Sequence, residues 1–193
     1  MLTTHGHPDH IGLAASLQRA GADVWVHEAD APILADGPRS AFRHAPPEAA
    51  MLRYLVRRPA AVAAPLHLAR AGAFTAPRTA TVHTIATAGR LDAIPGRPRV
   101  VSVPGHTDGS VAYLFEDLGV LFTGDALVTY DGLTGHVGPT VVCRGFTHDG
   151  AAALAALDEL EKLDADLILP GHGDPFAGPP AHATRLARAA GLR

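Results

Sequence analysis

Seven side chains in four short stretches of this chain are of types that bind divalent metal ions. The stretches are THGHPDH at 4–10, PGHTDGS at 104–110, FTGDAL at 122–127 and PGHGDP at 170–175. The seven are five histidines (His5, His7, His10, His106, His172) and two aspartates (Asp9, Asp125). Imidazole nitrogen and carboxylate oxygen suit zinc, iron or manganese, and a site needs several such donors converging from different segments. His5 and His7 stand two positions apart, so an extended or tightly turned backbone aims both rings at one ion. Asp9 and His10 follow at once and can reach a second ion beside the first. Two divalent ions roughly 3.5–4 Å apart can acidify a water held between them and polarise a carbonyl, so the donor set points to hydrolysis.

Positioning these donors falls to turns. Pro8 fixes its own φ and biases His7 away from helix, so 4–10 is expected to be a rigid loop rather than the first turn of the helix that follows. VVSV at 100–103, GVLF at 119–122 and DLIL at 166–169 are short apolar runs, each ending in a Gly or Pro turn that carries a donor. The donors are therefore expected on loops at strand ends. Gly105, Gly124 and Gly171 immediately precede His106, Asp125 and His172. Glycine lets backbone pack closely around an ion.

These motifs, in this order, resemble those of the metallo-β-lactamase superfamily: THGHPDH its signature loop, PGHTDGS its third-histidine segment, FTGDA its bridging-aspartate turn and PGHG its last histidine turn. The match runs from residue 3 to about residue 175. The resemblance implies that His5, His7 and His106 hold one metal, that Asp9, His10 and His172 hold the other, and that Asp125 bridges both. It implies an α/β fold, the αββα sandwich, with the site at one edge of the two sheets. It also implies a dinuclear hydrolase that attacks an ester, thioester, lactone or lactam carbonyl with a metal-bridging hydroxide. Two divalent ions are expected, zinc first, with iron or manganese as alternatives. Asp9 is the expected catalytic carboxylate, orienting the hydroxide and passing a proton to the leaving group. Asp108 and Asp174, by proximity in sequence, are candidates to fix imidazole tautomers. The Gly-rich loop VTYDGLTGHVGP at 128–139 is expected to line the pocket, with Tyr130, His136 and Arg144 as substrate contacts.

Substrate stays open at this level. A glyoxalase II type enzyme has a C-terminal helical domain for glutathione, whereas only about 20 residues follow His172 here. An acylhomoserine lactonase type has a tyrosine shortly after the bridging aspartate. Val128 stands at that place, and Tyr130 two residues on. A mononuclear iron persulfide dioxygenase shares PGHTDG and is the alternative reading, in which Asp9, His10 and His172 hold no metal. Its Arg and Asp pair after the bridging aspartate is not evident, and His7 stands where the superfamily's diiron redox branch often carries glutamate.

Composition sets limits. With 193 residues, 47% of them hydrophobic, the chain can bury a core as a single domain, 1–193. Residues 11–20 predict a helix closed by Gly21, and DVWVHE at 23–28 a strand. From about residue 29 to 79, Pro breaks and short amphipathic segments such as PEAAMLRYLVRR at 47–58 read as a helical insertion over the site. Strands are expected again from Thr81 to Glu116, with Leu91 to Arg99 as a turn-rich connection. A helix is expected at Asp149–Leu163 with Leu154, Leu157, Leu160 and Leu163 on one side, and a basic amphipathic helix at about 180–190. His27, His44, His67, His83 and His182 are expected to be ordinary core or surface histidines.

A net charge of −3 offers no basic face for a phosphate backbone, which argues against a nuclease and any nucleic-acid partner and for a small-molecule substrate. Cys143 is the single cysteine, so no internal disulfide forms. No run of about 18 apolar residues is present, so no membrane association is expected, and the location is read as cytoplasmic. Only Met1 to Thr4 precede His5, where the resembled family has a β-rich segment. One sheet is therefore expected to lack its N-terminal strands, as in a chain that starts part-way into a longer protein.

Overall fold

The computed structural model describes residues 1–79, 81–86 and 88–193. Its N-terminal part runs through α1 (Pro8–Ile11), α2 (Ala14–Arg19), β1 (Trp25–His27), α3 (Ala31–Asp36), α4 (Ala41–His44), α5 (Leu52–Arg57) and α6 (Ala63–Arg70). Then follow β2 (His83–Ile85), β3 (Gly89–Arg90), β4 (Arg99–Ser102), β5 (Val111–Phe115), β6 (Val120–Gly124), β7 (Val128–Tyr130) and β8 (Val137–Thr140). The chain closes with α7 (Gly150–Glu161), β9 (Leu167–Pro170), β10 (Phe176–Ala177) and α8 (Pro180–Ala190).

Six strands form one sheet in the order β10-β9-β6-β5-β4-β3. The β4–β5 and β5–β6 pairs are antiparallel and β6–β9 is parallel, so β4, β6 and β9 all run the same way. Their C-terminal ends share one edge of the sheet. The loops that follow them carry His106, Asp125 and His172 to that edge. A parallel β1–β2 pair, with Leu2 bridged to Trp25, makes up the second sheet, and β7–β8 is a short hairpin.

The main core lies between the six-stranded sheet and α7 and α8. Leu121 and Ile168 from the strands meet Leu157, Leu160 and Ala187 from the helices. Burying each leucine contributes roughly 1.5–3 kcal/mol, which is what fixes the helices to the sheet. Of the leucine face read from the sequence, Leu157, Leu160 and Leu163 are buried and Leu154 packs beside them. Asp149 caps α7 by accepting from the Ala152 N–H at 2.9 Å.

Two expected elements differ. The helix over 47–58 shrinks to α5, and the segment before it is tied to another part of the chain, the N–H groups of Glu48 and Ala49 donating to the carbonyls of Thr147 and Arg144. In the signature stretch, His7 is extended (φ −71°, ψ 152°), as a residue before proline should be. Pro8, however, starts the one-turn helix α1, which places Asp9 and His10 on helix rather than loop. Proline fits there because the first helical residue needs no N–H bond. The return to strands from Thr81 holds, although Thr87 within it lies outside the described residues.

Candidate metal centre

Each donor is held by backbone that is itself tied to the sheet edge. Val111 N–H, at the start of β5, donates to Thr4 O at 2.9 Å, bringing the His5–His7 stretch alongside. His148 and Asp149 N–H groups donate to His106 O and Gly105 O and pin the third-histidine turn to the start of α7. Thr129 N–H donates to His172 O, and Gly171 N–H donates to Gly124 O at 2.8 Å, so the Asp125 and His172 turns are tied to each other.

All seven expected donors converge. Donor atoms of His5, His7 and His106 lie within 4.8 Å of one another, as do those of Asp9, His10 and His172, and those of His5, His10 and Asp125. The Asp125 carboxylate stands between the two outer groups. Its Oδ2 is 3.3 Å from His106 Nε2, 3.3 Å from His172 Nε2 and 3.9 Å from His5 Nε2, and its Oδ1 is 3.4 Å from His10 Nε2. Asp9 Oδ2 is 3.1 Å from His172 Nε2 and 3.6 Å from His10 Nε2. His7 Nδ1 and His106 Nε2 face each other at 2.7 Å.

Electrostatics divide the cluster. Burial drives His5, His7 and His106 below the ordinary imidazole value, His106 to about 3, and leaves their rings neutral. Burial would raise Asp125, but His10 and His5 beside it outweigh that and hold it well below the usual carboxylate range. For His10, burial is outweighed by Asp125, and the ring is raised. For Asp9, burial is outweighed by the hydrogen bond to His172, and the carboxyl is lowered. Hydrogen bonds to Asp125 and Asp9 push His172 up to about 11. Among the described residues, His5 Nε2, His10 Nε2, His106 Nδ1 and Asp125 Oδ1 are buried without a hydrogen-bond partner. Groups left unpaired inside a protein are costly, and three of these four belong to the His5, His10 and Asp125 donor group.

Beside the cluster lies a cavity of about 310 Å³. Of the three side chains read from the sequence as substrate contacts, Tyr130 lines it. The other two candidates do not: His136 is absent from the lining, and Arg144 pairs through Nη1 with Glu48 Oε1 at 2.5 Å. Asp131 folds the 128–139 loop by accepting from the N–H groups of Leu133, Thr134 and Cys143. His67, expected to be an ordinary histidine, lines the cavity from α6.

The tautomer-fixing role foreseen for Asp108 and Asp174 finds no counterpart. Asp108 lies 3.9 Å from His148 Nε2, and Asp174 takes part through its carbonyl, which accepts from Thr129 Oγ1. The carboxylate that organises the donor loops is Asp30, which the sequence did not single out. It accepts from Gly6 N–H, Thr107 Oγ1 and Gly109 N–H.

No helix among the described residues is long and apolar enough to cross a membrane. Residues 1–172 match the model of the metallo-beta-lactamase superfamily. The chain is 26% identical over 195 residues to the probable metallo-hydrolase YflN of Bacillus subtilis (strain 168), a match that takes in 92% of this chain and 65% of that protein. It thus spans just under two thirds of that relative's length. A metallo-beta-lactamase family protein from Thermus thermophilus superposes with a TM-score of 0.62 at 26% identity, over 98% of this chain and 59% of the other. The protein TTHA1623, solved in a di-iron-bound form, gives 0.61 at 24% identity over 91% and 70%. The four motifs, the αββα arrangement and the family match together place this chain in the metallo-beta-lactamase superfamily.

Proposed function

We propose that the protein is a dinuclear metal-dependent hydrolase of small acyl compounds, cleaving an ester, thioester, lactone or lactam. The observation that carries this reading is the position of Asp125, with one carboxylate facing imidazoles of both outer donor groups. The residues fit a pair of ions on two counts. The donors are of the mixed nitrogen and oxygen kind such ions take, and three of their buried atoms, His5 Nε2, His10 Nε2 and Asp125 Oδ1, lack a hydrogen-bond partner among the described residues.

His5, His7 and His106 would hold one ion, and Asp9, His10 and His172 the other, with Asp125 shared. Zinc is the first expectation, and the di-iron form of a fold neighbour keeps iron under test. When bound, such a pair supplies Lewis acidity at a carbonyl and acidifies water. The chain's own residues do the rest. Neutral His5, His7 and His106 offer lone pairs without first losing a proton. Asp9 lines the cavity and is ionised, so its carboxylate can take a proton at Oδ2 and return it to a leaving group. Residues 29–79 act as a cover. Six lining residues lie between 42 and 74, which shields a reacting group from bulk water.

Metal quantification on purified protein, followed by a panel of thioesters, lactones and β-lactams, tests the proposal. Two ions per chain with turnover of one class is the expected result. One iron per chain with O₂ uptake and no hydrolysis would replace it with a dioxygenase.

A further inference from the structure

The wall of the 310 Å³ cavity says more about its occupant than the donor cluster does. Five lining residues belong to the donor cluster. Most of the remainder are apolar, led by Phe42, Met51, Pro65, Leu68, Phe74 and Phe146. Among the described residues no lysine or arginine lines the space. Arg58 reaches the neighbouring 130–132 segment, but its guanidinium donates to Gly132 O at 2.5 Å and to the Tyr130 hydroxyl at 3.2 Å, and it is not part of the wall. His67 is the one ionisable side chain that residues 41–75 bring to the lining, and it is exposed on α6.

Outside the donor cluster the lining holds one carboxylate, that of Asp131. Asp9, Asp125 and Asp131 all line the cavity. Both Asp131 oxygens accept from backbone N–H groups, so this carboxylate is fixed in place. An anionic group carried on the acyl side of a substrate would leave water for aromatic and aliphatic carbon, with no counter-ion from the wall. An uncharged chain meets no such penalty and gains by burying its methylenes.

On the reading of the cluster as a hydrolytic centre, we infer that this cavity is an acyl pocket. Its substrate is an uncharged ester or lactone with an apolar chain. It selects against compounds that carry a carboxylate on that side, as the monoesters and monothioesters of dicarboxylic acids do.

Calorimetry on the zinc-loaded protein compares octanamide with suberic acid monoamide, which differs by a carboxylate at the far end of the chain. Octanamide is expected to bind at least about tenfold more tightly. Equal or reversed affinity overturns the inference. Leu68→Arg, on the half-buried face of α6, is expected to narrow or invert that preference, with Phe74→Arg as a second variant and melting curves to verify folding. Along p-nitrophenyl acetate, butyrate and hexanoate, kcat/KM is expected to rise roughly three- to fourfold per methylene. If no ester or lactone turns over while the amide preference holds, the hydrolase reading falls and the pocket stands. Turnover that ignores chain length, with equal amide affinities, leaves the hydrolase and removes the pocket.

Discussion

Asp30 accepts a hydrogen bond from the Thr107 hydroxyl at 2.7 Å, across 77 residues of sequence. The same oxygen accepts from Gly6 N–H at 2.7 Å, between His5 and His7, and the other accepts from Gly109 N–H at 3.0 Å. One carboxylate, 1% exposed, thereby joins the loops that carry three of the seven donors. Replacing it leaves buried N–H and O–H groups unpaired and frees the two loops from each other. Asp30→Ala is expected to lower zinc affinity by roughly 10–100-fold, and Asp30→Asn by less, in competition with a chromophoric chelator. Unchanged affinity in the alanine variant would show that the loops hold their shape without it.

The donors were legible in the sequence because their spacing is local. THGHPDH puts four of them within six residues, and the other three follow short apolar runs that became β4, β6 and β9. Asp30 was not legible, since nothing within VHEADAP distinguishes a carboxylate that will meet Gly6, Thr107 and Gly109 from one that faces solvent. The cavity wall was hidden for the same reason. Phe42, Leu68 and Phe146 share it through packing of segments far apart in sequence. Arg144 looked like a substrate contact from its place after the Gly-rich loop, but Glu48, 96 residues earlier, takes its guanidinium.

His106 and Asp125 sit where the two outer donor groups meet, 3.3 Å apart, and both are buried. Alanine at either is expected to reduce turnover by orders of magnitude and to lower the metal content, with the circular dichroism spectrum largely kept because the main core is formed elsewhere. Near-normal turnover in either variant would count against the proposed centre.

Gly171 shows why a side chain is excluded beside the shared carboxylate. A Cβ built there would stand 1.9 Å from Asp125 Oδ1, far inside contact distance. Gly171→Ala is therefore expected to displace Asp125 and so weaken metal binding, while Gly191→Ala, strained by its φ of +72° but with no atom within 4 Å of its Cβ, leaves metal binding unchanged. Zinc titration of both variants separates this local clash from any general loss of stability.

Cys143 offers a test that does not depend on metal. The thiol is fully buried, and burial, assisted by the Asp131 carboxylate, pushes it from its ordinary value of 9.0 up to about 12. Between those values the unfolded chain gives up the proton while the native state keeps it. The stabilising contribution is complete below pH 9 and is lost as pH rises through about 12. Urea unfolding of the wild type and of Cys143→Ala at pH 8 and pH 10.5 isolates this thiol from the chain's other titratable groups. The stability difference between the two proteins is expected to shrink at the higher pH. A constant difference would mean that the thiol ionises as easily in the native state as in the unfolded chain. The native thiol is also expected to resist a disulfide reagent at pH 8 until urea exposes it, since the neutral, buried form is a poor nucleophile.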